Sequence, residues 1–303
     1  MSYIRTVFND IKNKKLLYIM LLPLLLYLIV FAYMPMYGVI IAFKDYSPYK
    51  GILASDWCGL KYFKMFFESQ YFLRIIRNTL VINLYGLAIG FPIPIIFALL
   101  LNEIKSIRFK KVIQTVTYMP HFISIMVIST MIITFCSSDS FINSIIVFFG
   151  GKRTSLLSEP KLFPLIYTIS GVWQQFGWDS IIYLAALSGI NVELYEVAKV
   201  DGAGRFTRAL KITLPGIAST IVLMLILKIG NMLSVGFEKI ILISNPLVNE
   251  TAEVISTFVY TRGLEGGDYS YSTAVGLLNS AVNFLLLTGA NAVSKRYSET
   301  CLW

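Results

Sequence analysis

Six stretches of the sequence, residues 16–43, 75–101, 112–135, 162–187, 215–243 and 272–293, are apolar over the roughly 20 residues that a helix needs to cross a bilayer. Composition agrees that this is no soluble domain: 56% of the 303 residues are hydrophobic and only 14% are charged, where a soluble chain carries roughly 25% charged residues. The expected fold class is all-α, a polytopic membrane protein with six transmembrane helices. The fourth stretch is the ambiguous one, because Trp173-Gln-Gln-Phe-Gly-Trp-Asp179 interrupts it. It counts as a span because an even number returns both ends of the chain to one side.

The first stretch follows a basic start, Arg5, Lys12, Lys14 and Lys15, as a signal peptide would. A signal peptide, however, has an apolar region of about 7–15 residues closed by a small-residue cleavage site, and neither holds here. The chain therefore divides into a cytoplasmic lead-in at 1–15, a six-helix domain at 16–294 and a cytoplasmic tail at 295–303. With both ends cytoplasmic, the inner segments hold fourteen Lys and Arg against six acids, and the outer segments nine against nine. That is the sign of the positive-inside bias. The net charge of +9 is thus a topology signal and does not point to nucleic acid.

Little in the sequence suggests catalysis. Cys58, Cys136 and Cys301 are scattered and His121 is the lone histidine, so neither a disulfide framework nor a metal site is implied. His121 reads as a loop or helix-end residue near a membrane boundary. No Gly-x-x-x-x-Gly-Lys-[Ser/Thr] phosphate loop is present; Gly150-Gly-Lys-Arg-Thr154 has the wrong spacing. Polar residues within spans are costly and face a cavity or another helix. On the fifth stretch Lys228, Asn231, Ser234 and Glu238 fall within about 120° of arc at helical spacing. On the fourth, Gln175 and Asp179 share a face, flanked by Trp173 and Trp178; on the sixth, Asn279 and Asn283 do so. Planar polar groups beside aromatic faces suit a sugar, and the alternative is interhelical hydrogen bonding. Pro92 and Pro94 are expected to kink the second span.

Between the fourth and fifth stretches lies an interval too polar for the membrane, with Lys199, Asp201, Arg205, Arg208 and Lys211 in it. Leu194, Val197 and Ala198, then Phe206 and Leu210, recur at helical spacing on either side of Asp201-Gly202, a turn signal. Pro215 then suits the first turn of the next helix. The expected order is helix, tight turn, helix, span.

Glu196-Val197-Ala198, then Gly202 after three intervening residues, then Ile212-Thr213-Leu214-Pro215 after nine more resemble the coupling loop of binding-protein-dependent ABC importer permeases. The one departure from that pattern is Val197, which stands for Ala. Arg77-Asn78-Thr79, Asn102-Glu103-Ile104, Tyr118-Met-Pro-His-Phe-Ile-Ser124, Gly236-Phe237-Glu238, Asn245-Pro246-Leu247, Val259-Tyr-Thr-Arg-Gly263 and Leu302-Trp303 are similar to permeases for oligosaccharides and polysaccharide fragments. The resemblance implies a type I importer fold with a cytoplasmic coupling helix at about 192–215, in a bacterial cytoplasmic membrane. It implies a second, related permease, two ATPase subunits that carry ATP and Mg, and an extracytoplasmic solute-binding protein, with no cofactor on this chain. On it, Glu196, Val197, Ala198, Asp201, Gly202, Arg205, Ile212, Leu214 and Pro215 would meet the ATPase. Trp173, Gln175, Asp179, Lys228, Asn231, Ser234 and Glu238 are the substrate-path candidates.

Two other readings stand beside this one. A permease of the same superfamily for an amino acid, peptide, phosphonate or metal chelate would share the coupling loop. An intramembrane enzyme would need a clustered nucleophile and base or a metal constellation, which one histidine and no suitably spaced acid pair do not supply.

Overall fold

The computed structural model describes residues 14–297 and 301–302; most of the lead-in at 1–15, and the end of the tail with Trp303, lie outside the described residues. Among the described residues, four helices are long and apolar enough to cross a membrane: Lys15–Phe43, Phe72–Asn102, Ile125–Phe148 and Tyr269–Arg296. Two bent helix pairs raise the number to as many as six where each is taken as one span, Phe163–Ser188 with Val192–Val200 and Arg205–Gly216 with Ala218–Gly230.

Prolines shape these helices in a regular way. Three wide, π-helical turns, Ile29–Tyr33, Gly86–Gly90 and Ala209–Thr213, end two residues before Pro35, Pro92 and Pro215 respectively. A proline has no N–H and its ring collides with the carbonyl one turn back; opening the turn by one residue moves that carbonyl aside without ending the helix. The expected kink in the second span thus takes the form of a wide turn.

The second, fourth and sixth expected spans fall where the sequence placed them. The second comprises α1 (Phe72–Tyr85), the wide turn and α2 (Pro92–Asn102). The fourth is α5 (Phe163–Ser188), unbroken through the polar Trp173–Asp179 interval, and the sixth is α10 (Tyr269–Tyr297). The third differs. Residues 107–136 form α3 (Ile107–Tyr118) and α4 (Ile125–Cys136), interrupted by a 3-10 turn at Met119–Phe122 and extended backbone at Ile123. Ser124 caps α4 by accepting from the Val127 N–H. Since α3 carries Arg108, Lys110 and Lys111, the apolar length is displaced from 112–135 to Ile125–Phe148.

The fifth span also departs from expectation. Helix α8 (Ala218–Gly230) stops at Asn231, and a separate helix α9 (Phe237–Ile243) begins after an interval of turn and extended backbone. Close packing supplies one reason for the interval's position, because a β-carbon on Gly230 would lie 2.6 Å from Leu287 on α10. The single helical arc expected for Lys228, Asn231, Ser234 and Glu238 therefore does not exist.

Buried side chains form three clusters along the bundle. Near the interval 189–217, Ile95, Ala98, Tyr183, Leu187 and Ile217 pack together. Ile128, Ile132, Phe163, Ile240 and Val254 form a second cluster, and Phe66, Ile75, Phe258, Tyr271 and Val275 a third at the opposite end. There the Arg77-Asn78-Thr79 segment acts as a clamp. Asn78 Nδ2 donates to the carbonyls of Glu250 (2.8 Å) and Glu253 (2.9 Å), Thr79 Oγ1 accepts from the Ile255 N–H (3.1 Å), and Arg74 pairs with Glu253. The segment before α10 is thereby held against the second span. A two-stranded hairpin at the same end, Lys44–Asp45 paired with Asp56–Trp57, is tied to the start of α10 by Ser270, which donates to the Lys44 carbonyl and accepts from the Tyr46 N–H.

Candidate translocation cavity and coupling surface

The interval 189–217 folds as helix, turn, helix. Asn191 caps α6 (Val192–Val200) by accepting from the Glu193 N–H (3.0 Å). At the other end Gly202 adopts φ +76°, its N–H donates to the Lys199 carbonyl (3.1 Å), and the Ala203 N–H donates to the Ala198 carbonyl (2.8 Å). These paired bonds are the Schellman ending that a left-handed glycine allows. A second helix, α7 (Arg205–Gly216), follows and meets α8 at a bend of 62°.

Leu194, Val197 and Phe206 project from this pair with exposures of 53%, 61% and 78%, so these three members of the apolar stripe read from spacing have no cover among the described residues. Glu196 is exposed in the middle of α6, while Glu193 occupies the first turn. Favourable interaction with the helix N-terminus therefore belongs to Glu193, and an outward contact is left for Glu196. Arg205 lies 3.9 Å from Glu103, joining α7 to the end of the second span.

Ile212 and Leu214 are half-buried, and Leu214 packs against the cluster around Leu187 and Ile217. They hinge the loop to the bundle and add little to its exposed face. Pro215 sits in the last turn of α7, and the next helix opens at Ala218, so the expectation that Pro215 begins the fifth span is corrected. Thr213 is buried and accepts from the Tyr195 hydroxyl (3.0 Å), which locks α6 to α7.

A cavity of 780 Å³ opens between the second span, α5 and α8, within the roughly 300–1,000 Å³ usual for ligand sites. Phe91 and Pro94 border it after the wide turn; Trp178, Asp179 and Tyr183 line it from α5; Met224, Lys228 and Asn231 line it from α8. Lys228 and Asp179 both line the cavity and make no direct ion pair with each other. Asn231 can face it because α8 has ended: its side chain donates back to the Leu227 carbonyl (3.2 Å).

The remaining path candidates fall elsewhere. Ser234 accepts from Asn283 Nδ2 (3.0 Å), and Asn283 Oδ1 accepts from the Leu233 N–H (2.9 Å), so Asn283 stitches α10 to the broken interval. Glu238 is exposed in the first turn of α9, and Trp173 lies outside the cavity lining. Gln175 is occupied by His121 at 2.8 Å. One residue escaped the sequence reading: Lys239, only 5% exposed, donates to the Tyr167 carbonyl (3.1 Å) and lies over the Tyr167 ring. His121 lies in the 3-10 turn between α3 and α4, in keeping with the loop or helix-end position read for it; its packing against Trp178 was not foreseen.

The profile described as binding-protein-dependent transport system inner membrane component matches residues 90–299. The chain is 46% identical over 288 residues to the polygalacturonan/rhamnogalacturonan transport system permease protein YteP of Bacillus subtilis (strain 168), covering 95% of this chain and 90% of that protein. It is 45% identical over 294 residues to Protein LplB of the same organism, with coverage of 97% and 92%. A chain of a bacterial ABC transporter involved in the import of the acidic polysaccharide alginate superposes with a TM-score of 0.88 at 42% identity, covering 96% of this chain and 99% of that one. A chain of a bacterial alginate ABC transporter in complex with alginate pentasaccharide-bound periplasmic protein gives 0.89 at 42% identity, covering 97% and 99%. Sequence and fold thus agree that this chain belongs to the inner membrane components of binding-protein-dependent transport systems, as a permease subunit of an ABC importer with the type I fold and not as an enzyme.

Proposed function

We propose that this permease conducts an acidic oligosaccharide, a short uronate-containing fragment, through the cavity between the second span, α5 and α8. The observation that carries the reading is the lining itself: an indole, an amide and a lysine, Trp178, Asn231 and Lys228, around one space, with Asp179 on the α5 wall able to accept from sugar hydroxyls. An indole offers an apolar face to a sugar ring, an amide pairs with hydroxyls, and an ammonium meets a carboxylate. The relatives named for polygalacturonan/rhamnogalacturonan and for alginate support a negatively charged cargo. In this reading both ends and the loop at 189–217 face the cytoplasm, and a second permease closes the open side of the cavity. Two ATPase subunits carrying ATP and Mg bind the exposed stripe of Leu194, Val197 and Phe206, and a solute-binding protein delivers the sugar to the hairpin end.

Uptake into proteoliposomes holding the complete importer tests this. Oligogalacturonate and a neutral glucan of equal length would be compared in the native protein and in Lys228→Met. A charge-assisted hydrogen bond is worth about 1.5–3 kcal/mol, so KM for the uronate should rise about tenfold or more. Equal transport of both sugars, together with an unchanged KM in Lys228→Met, would overturn the acidic assignment.

A further inference from the structure

The imidazole of His121 and the indole of Trp178 lie parallel, with centroids 4.3 Å apart and an interplanar angle of 1°. The phenyl ring of Phe122 stands edge-on to both, at 5.2 Å and 5.4 Å. His121 Nδ1 also meets Oε1 of Gln175 at 2.8 Å. A carboxamide oxygen only accepts, so Nδ1 carries the proton and donates. His121 comes from the 3-10 turn that breaks the third span, whereas Gln175 and Trp178 lie three residues apart on α5. One ring is thus fixed twice to a helix that is not its own: by its face to Trp178 and by its edge to Gln175.

The backbone brings the two elements together at the same level. A β-carbon on Gly177 would lie 2.2 Å from the Thr117 carbonyl oxygen, so α3 and α5 touch there main chain to main chain. Glycine at 177 and the proline-induced break at 120 together place an imidazole flat against the residue after the glycine. Trp178 keeps 41% of its surface exposed and lines the cavity. With one indole face covered by His121, the uncovered part is what the cavity meets.

We propose that His121 is a positioning residue for sugar transport: it sets the plane of Trp178 so that the indole forms a fixed wall of the cavity. This rests on the cavity being the sugar path. A flat ring alone would stack but could turn about the stacking axis, and the bond to Gln175 removes that freedom. An indole held in advance in its binding orientation has less conformational entropy to lose when a sugar arrives. The effect of losing the support should therefore fall on KM more than on maximal rate.

The experiment uses the chain labelled with 5-fluorotryptophan, followed by ¹⁹F NMR in detergent, and the complete importer for uptake. The four tryptophans give four signals, of which Trp178 is assigned by its loss in Trp178→Phe. His121→Ala should shift and broaden that signal and leave that of the distant Trp57 unmoved. Gln175→Met, which cannot accept the bond, should broaden it, and His121→Phe, which restores a stacking ring, should move it partly back. In uptake, His121→Ala should raise KM about 3- to 10-fold, with maximal rate within about twofold and partial rescue by His121→Phe; that range follows from the size of aromatic pair contributions. A Trp178 signal unmoved in both His121→Ala and Gln175→Met would overturn the positioning role. So would KM unchanged in His121→Ala while Trp178→Ala raises it. Trp178→Ala without effect on KM would instead sink the reading of the cavity as the sugar path, whatever the NMR signals do.

Discussion

Gly202 and Gly177 are both glycines for a physical reason, but the reasons are opposite. At Gly202 the backbone sits at φ +76° with nothing within 4 Å of where a β-carbon would point; the demand is conformational, and a side chain would project into open space. At Gly177 the space is absent, since a β-carbon would fall inside the van der Waals radius of a backbone carbonyl. Gly202→Asp should therefore cost about 1–2 kcal/mol of local strain and leave the protein inserted. It should nevertheless abolish stimulation of ATP hydrolysis by loaded binding protein, because it puts a charge on the tip of the proposed docking surface. Full ligand-stimulated ATPase activity of the purified mutant importer would show that this turn does not transmit the signal. Gly177→Ala should do the reverse in purified chain: it forces α3 from α5, with the about 1–3 kcal/mol typical of overpacking, visible as a lowered Tm in detergent. A Tm equal to that of the native chain would mean that the two backbones part without cost.

At the scale of elements, legibility divides along a physical line. The helix, turn, helix at 189–217 was readable because each of its parts is local: a cap, an amphipathic face and a glycine turn act within a few residues. Even there Pro215 misled, because a proline at the start of an apolar run suits a first helical turn, whereas the wide turn Ala209–Thr213 lets α7 run on past it. Of the two broken spans, the third carried one local hint, Pro120, and the fifth carried none. The interruption after Gly230 coincides with a close approach to Leu287 and is stitched by Asn283, contacts some fifty residues away in sequence, and hydropathy does not register it. In consequence, the arc that joined Lys228 to Glu238 gave way to a cavity shared by Asp179, Lys228 and Asn231. The hairpin was equally invisible, and the bonds around its Asp45 make a pH prediction. Asp45 accepts from both the Tyr62 hydroxyl and Lys61, and these bonds, Tyr62 first, hold its carboxyl below the ordinary range. Tyr62 is pushed up to about 12, by burial first and the Asp45 bond second. A depressed acid stabilises above its unfolded value and loses that contribution as pH falls through the folded one; a raised phenol stabilises below about 10 and loses it as pH climbs towards about 12. Hydrogen exchange across residues 44–62 should thus show protection beyond the intrinsic rate that is flat from about pH 5 to 9 and falls on both sides. Tyr62→Phe should shrink the alkaline fall and leave the part carried by Lys61 and Lys50, whose bonds to Asp45 and Asp56 raise them above their ordinary values. An alkaline fall undiminished in Tyr62→Phe would show that the phenol contributes nothing to it.

The whole molecule is visibly one part of something larger. Helix Lys15–Phe43 has none of its most apolar window buried within the chain, the cavity is open along one side, and the coupling stripe is bare. Lipid suits the first of these, but a cavity lined by the ionisable side chains of Lys228 and Asp179 does not belong against acyl chains. A protein surface, water or substrate must cover it, and those alternatives differ in who can reach the wall. Asn231 makes the sharpest probe, because it lines the cavity beyond the end of α8, whereas Ile226 on the same helix is 3% exposed. In a background lacking Cys58, Cys136 and Cys301, Asn231→Cys should react rapidly with a membrane-impermeant thiol reagent in the isolated chain, and Ile226→Cys should not. In the complete importer Asn231→Cys should still react, since a path must admit water. Loaded binding protein with trapped nucleotide should slow the reaction at least severalfold as sugar fills the space. If the Asn231→Cys thiol reacts in the isolated chain but is inert in every nucleotide state of the assembled importer, this face is buried against the second permease, and the route for sugar would then have to be sought on another wall of the bundle.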